Sequence, residues 1–145
     1  MLKEELLKIE EECSFSSFKQ EYGLLIGEEL VKWAKENYKY KMGIRIQYDG
    51  LLLFQYLMPM KNEDLWLKRK ERMVYESGHC SYYSFLNHEV PHDNTDPDYI
   101  IMGGGFPIIV NGEIHGTICV SGLKHEDDHQ VIVDAIRRLK EKHVF

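Results

Sequence analysis

Two histidines four residues apart, His125 and His129, enclose Glu126, Asp127 and Asp128. On a helix that spacing turns both imidazoles to one side with a carboxylate beside them, the arrangement by which zincins hold a metal and activate water. A metallopeptidase is therefore one function to weigh. Too little chain follows His129 to bring back a third ligand, however, since the only later histidine, His143, falls near the far end of the same helix. The three acidic residues equally suit the positive end of a helix dipole, so zinc is not the expectation. His88 and His92 repeat the spacing, but Pro91 between them breaks any continuous helical face.

Other residue types invite other chemistry. Gly103, Gly104 and Gly105 resemble a phosphate cradle, yet such loops open a helix, whereas Phe106, Pro107, Ile108 and Ile109 open a strand. The glycines are read first as a tight turn packed against another backbone, and second as a place where a flat ligand approaches closely. Lys68, Arg69, Lys70 and Arg72 form a basic cluster, and Trp66, Arg69 and Arg72 share a helical face suited to a carboxylate. Cys80 lies next to His79, a neighbour that would favour thiolate if the two faced each other. Cys119 sits within an apolar run and reads as a small core residue.

Apolar runs on either side of Asn111 and Gly112 predict strands Phe106–Val110 and Ile114–Val120 joined by a type I′ turn. The glycines enter this hairpin and Ser121, Gly122 and Leu123 leave it, so two loops that expose backbone are expected to meet at one end of a sheet. A second hairpin is predicted from Ile44, Ile46 and Tyr48, through Asp49 and Gly50, to a return strand Leu51–Met58 stopped by Pro59. Helical periodicity marks the first dozen residues, Lys19–Tyr38, Asn62–Ser77 with Asn62 as N-cap, Ser81–Asn87, and a last helix through Val131, Ile132, Ala135, Ile136 and Leu139. Ser14–Phe18 is read as a short edge strand, and Pro91–Asp98 as a surface loop. The sum is one α+β domain over residues 1–145, its antiparallel sheet covered mainly on one face. Leu51, Leu52, Leu53 and Phe54 are consecutive and apolar, so both faces of that strand are expected to be dry, through self-association.

Composition narrows the classes. A net charge of −6 opposes binding to nucleic-acid phosphates. No run of about 20 apolar residues is present to cross a bilayer. An N-terminus without the apolar core of a signal peptide, together with three scattered cysteines, leads to the expectation of a cytoplasmic protein.

Three motifs together, Trp-Leu-Lys-Arg-Lys from Trp66, Gly-Gly-Gly-Phe-Pro-Ile from Gly103, and Val-Ser-Gly-Leu from Val120 followed by Asp128 and His129, resemble the haem-degrading-domain family, in its branch of small single-domain proteins. The resemblance runs from about Tyr22 onward. It implies a profilin-like fold, a central antiparallel sheet of about five strands built from two hairpins and flanked by helices, and a homo-oligomer. It also implies that some relatives bind haem or release its iron, while another serves as an adaptor. Trp66, Arg69, Lys70, Gly103, Gly104, Gly105, Phe106, Ser121, His125 and His129 carry over as the patch expected to matter; none matches an established haem ligand. Two functions follow with equal weight. The first is a binder of haem, another tetrapyrrole or a small molecule, with Phe106 or Trp66 stacking, Arg69 or Lys70 pairing with propionates, and His79, His125 or His129 reaching the metal. The second is a non-catalytic homo-oligomeric module in which the same motifs are core and interface.

Overall fold

Asp49 and Gly50 take φ of 48° and 79°, and Asn111 and Gly112 take 50° and 82°. Both two-residue turns thus occupy the left-handed region that a type I′ hairpin requires. In this computed structural model, which describes residues 2–87 and 101–145, they close β1 (Gly43–Tyr48) onto β2 (Leu51–Leu57) and β3 (Gly105–Val110) onto β4 (Glu113–Ser121). The expected loop Pro91–Asp98, with His88 and His92, lies outside the described residues. β1 and β4 also pair antiparallel, with Gly43 opposite Ser121, giving the order β2-β1-β4-β3. Both hairpin turns consequently share one end of the sheet. The glycine loop and the Ser121–Leu123 turn share the other.

Among the described residues the sheet has four strands rather than about five. The segment Ser14–Phe18 contributes one parallel bridge, Phe15 to Val110, where the Phe15 amide donates to the Ile109 carbonyl at 2.8 Å. Its aromatic rings do the packing instead: Phe15 and Phe18 meet edge to face, and Phe18 stacks on Tyr48.

The helices are α1 (Lys3–Glu12), α2 (Gln20–Glu36), α3 (Leu65–Ser77), α4 (Ser81–Asn87) and α5 (His125–Glu141). None of them is long and apolar enough to cross a membrane. The third begins at Leu65, later than expected from Asn62. Asp64 occupies its N-cap without capping, because its carboxylate accepts from Gln55 and pairs with Lys68 instead.

The sheet is covered on both faces, which corrects the one-sided expectation. Ile44, Ile46, Phe106, Ile108, Ile118 and Val120, all fully buried, project from one face into the core that α2 and α5 complete. α3 lies on the opposite face. There Gly105 meets the Lys70 carbonyl and Val74, and Arg45 reaches Glu71 at 3.2 Å. In β2 the alternation fails: Leu51 and Leu52 are about half exposed (53% and 52%), so a single chain does not leave that strand dry on both sides.

Candidate functional site

Lys70 falls on the buried stripe of α3, one turn from Leu67 and one turn from Val74. A lysine held there needs a charged partner, because an unpaired buried ammonium is strongly destabilising. α5 supplies it. Lys70 Nζ donates to Asp128 Oδ2 at 3.0 Å and to the Val120 carbonyl at 2.9 Å, with both side chains almost wholly buried. The second carboxylate oxygen accepts from the Leu123 amide at 3.0 Å, fixing the turn into α5. Burial raises the Asp128 pKa above the usual carboxylate value, and the lysine opposes that rise.

The glycines explain how this pair is reached. A Cβ at Gly104, where φ is +119°, would stand 2.5 Å from the Val120 carbonyl and 2.7 Å from Lys70 Nζ. One at Gly103 would stand 2.5 Å from the His125 carbonyl, and one at Gly105 would meet the Lys70 carbonyl at 2.8 Å. The triple glycine is therefore a seam of backbone against backbone, the first of its two readings. The seam is closed by hydrogen bonds: Val120 N to the Gly104 carbonyl at 2.8 Å, Gly105 N to Ser81 Oγ at 2.9 Å, and Gly103 N to His125 Nδ1 at 3.0 Å.

Above the pair opens a cavity of about 310 Å³. Lys70, Asp128 and Ser121 form its floor. Trp66, Met102 and Leu123 supply apolar walls, and Lys61 and His125 stand at the rim. Of the residues singled out from sequence, Trp66 and Lys70 on α3 and Ser121 and His125 at the β4–α5 turn converge here from two separate stretches of chain. Arg69 does not: it lies over the Trp66 ring at 5.2 Å and lines a different depression with Lys68 and Arg72. Phe106 is wholly buried in the α2/α5 core, which removes it as a stacking surface.

The two histidines of the His-Glu-x-x-His run part company. His125 accepts from Gly103 and pairs through Nε2 with Glu126 at 2.9 Å. His129 is 1% exposed, packed between Tyr82 and Phe106, with neither ring nitrogen hydrogen bonded to a described residue, and burial pushes its pKa down to about 4. Among the described residues no group of three His, Cys, Asp or Glu side chains is placed to hold a metal ion.

His79 is remote from the cavity. Its Nδ1 lies 3.0 Å from Glu10, whose other oxygen accepts from the Cys80 amide at 2.8 Å, so this cluster ties α1 to α4. All three thiols are buried and held protonated: burial pushes Cys13 to about 11, Cys119 to about 12, and Cys80 well above its ordinary value. None is poised as a nucleophile.

Sequence reasoning missed Lys61, Met102 and Leu123 as lining residues, and gave Asp128 to the helix dipole and to a family motif without a partner. Asp128 had a legible signal in its partner, since a lysine within an apolar helical stripe demands a buried carboxylate somewhere.

The family profile described as haem degrading protein HbpS-like matches residues 18–137. A UPF0303 protein of Psychromonas ingrahamii is 35% identical over 147 residues, covering 94% of this chain and 91% of that one. Among solved structures, the Ybr137w protein superposes with a TM-score of 0.88 at 24% identity, covering 100% of this chain and 91% of that one. A PduOC:Heme complex superposes with a TM-score of 0.65 at 16% identity, covering 83% of this chain and 92% of that one. Identities this low establish a shared fold alone.

Proposed function

The chain belongs to the HbpS-like family of haem-degrading proteins, and on that premise we propose that it binds a small carboxylate-bearing molecule with a flat apolar body, haem or another tetrapyrrole first among them. The observation that carries this reading is the convergence of Trp66, Lys70, Ser121 and His125 on one cavity of about 310 Å³, at the lower end of the range typical of ligand pockets. An ammonium has three protons, and two of those on Lys70 go to Val120 and Asp128. The third is left for a ligand oxygen. The Ser121 hydroxyl hydrogen-bonds to none of the described residues, although Ser121 is 3% exposed and lines the same floor. A carboxylate seated there would gain two donors, with Trp66 and Met102 against the apolar body and Lys61 available to a second acidic group. His125 is the imidazole nearest the opening, and a ligand metal would compete with Glu126 for its Nε2.

Titration with haem, followed in the Soret band, tests this. A saturable shift is expected, weakened by Trp66→Ala and changed in shape by His125→Ala. No shift, or a shift indifferent to both substitutions, overturns it.

The second reading, a homo-oligomeric module, is favoured by a different observation. β2 is an edge strand, and Leu51, Leu52 and Tyr56 on it are exposed. Long apolar edges left open invite pairing with another chain. Wild-type protein is then expected to elute as a multiple of 17.1 kDa, and Leu51→Lys with Leu52→Lys to return it to monomer. A monomeric wild type would end this reading.

A further inference from the structure

On the far side of the Gly122–Leu123 turn lies a second cavity, of about 460 Å³, sharing only Leu123 with the first. Its frame is rigid for a reason visible in the backbone. Gly122, at φ +116°, packs where a Cβ would strike the Lys41 carbonyl, so the turn into α5 is pressed against the loop that leads from α2 into β1. That loop is itself fastened by the Lys39 amide donating to the Ala34 carbonyl at 2.8 Å.

The two walls carry opposite charge. α5 presents Asp127, Gln130 and Asp134, a spacing of three and four that keeps them on one helical stripe. Lys39 and Lys41, from the loop after α2, line the same cavity, and Lys124 lines it from the N-cap of α5. Yet no ion pair among the described residues joins these lysines to these aspartates. Among the described residues Asp134 accepts a hydrogen bond from Gln130 alone, at 2.9 Å. Trp33 and Val131 make the remaining wall apolar.

We infer that this cavity is a binding site for a zwitterion of the amino-acid class with an apolar side chain. Its carboxylate meets the lysines, its ammonium one of the α5 aspartates, which stand two turns apart, and its side chain lies on Trp33 and Val131. A molecule with one charge meets one attractive wall and one repulsive wall, so both charges are needed for the fit. Nothing in this inference depends on the haem reading, because apart from Leu123 the two cavities are lined by different residues.

The chain has two tryptophans, one in each cavity. A Trp66→Phe variant makes Trp33 the sole reporter of the second site. With L-leucine as probe, saturable quenching of Trp33 fluorescence is expected. Isocaproate and isoamylamine, which keep the isobutyl side chain and lack the ammonium and the carboxylate respectively, are expected to bind about tenfold more weakly or worse. Lys39→Ala with Lys41→Ala should weaken leucine by a similar factor while leaving the unfolding temperature in place. Asp127→Asn with Asp134→Asn should abolish the preference for leucine over isocaproate, which a merely structural role would not do. The inference is overturned by the absence of saturable quenching in the millimolar range, by equal binding of a singly charged analogue, or by indifference to the lysine pair. Haem titration of a Trp33→Phe variant reports on the first cavity separately, so failure at one site is distinguishable from failure at the other.

Discussion

The two faces of the sheet are built on different principles. Toward α2 and α5 the contacts are mainly aliphatic: Ile44, Ile46, Ile108, Ile118 and Val120 meet Ile26, Leu30, Ile132 and Ile136, with Phe106 and His129 buried among them. Toward α3 polar groups are interleaved with apolar ones. Arg45 bonds both Glu71 and Gln55, Gln55 bonds Asp64, and at the sheet's end Lys70 reaches past Gly104 to Asp128. An aliphatic face tolerates small changes of volume because its energy is spread over many contacts. A face organised by buried charge concentrates its energy in a few geometries, and both candidate cavities adjoin the turn that the Lys70–Asp128 pair holds in place.

The contrast can be broken most directly at Lys70. Lys70→Met leaves Asp128 buried without its cation and is expected to lower stability by about 3–5 kcal/mol in denaturant titration. Adding Asp128→Asn, which retains an oxygen for the Leu123 amide, should restore most of the loss. A loss below about 1 kcal/mol would place the α3 face in the same class as the aliphatic one.

His129 gives the next largest effect. With its pKa lowered from 6.5 to about 4, the folded protein binds fewer protons there than the unfolded chain between those values. Its neutral burial is therefore without penalty above about pH 6.5, and stability falls as the pH drops from there to about 4, by about 3 kcal/mol in all. The raised pKa of Asp128 works in the opposite sense, because that carboxyl binds its proton more readily when folded. His129→Leu should flatten the acid limb of the stability profile; an unchanged limb would show that protonation elsewhere sets it.

The smallest effect belongs to the aliphatic face proper. Ile118→Val, removing one buried methylene, is expected to lower stability by about 1 kcal/mol without altering either cavity.

Local rules made much of this legible from sequence. The Asp-Gly and Asn-Gly turns specified both hairpins, and the meeting of the glycine loop with the Ser121–Leu123 turn followed from their places at the strand ends. Periodicity located every helix, while the start of α3 was lost because Asp64 is claimed by Gln55 and Lys68 across the fold. Ser14–Phe18 failed as a strand because its phenylalanines anchor it through ring contacts rather than through a ladder. At the candidate site, Trp66, Lys70, Ser121 and His125 were reached through the motifs of the family resemblance. Phe106 was misassigned because an aromatic beside a glycine loop looks the same in text whether it faces a ligand or the core. The partnership of Lys70 with Asp128 crosses 58 positions of chain and has no local spacing to betray it.

The shared end of the two hairpin turns has a practical use. Nothing lies within 4 Å of the Cβ that Gly50 lacks, and strands of this length separate that tip from the glycine seam by roughly 20 Å. A peptide tag or fluorophore spliced at Asp49–Gly50 would ride on the opposite pole from either cavity, giving a handle for immobilising or labelling the protein while both openings stay clear.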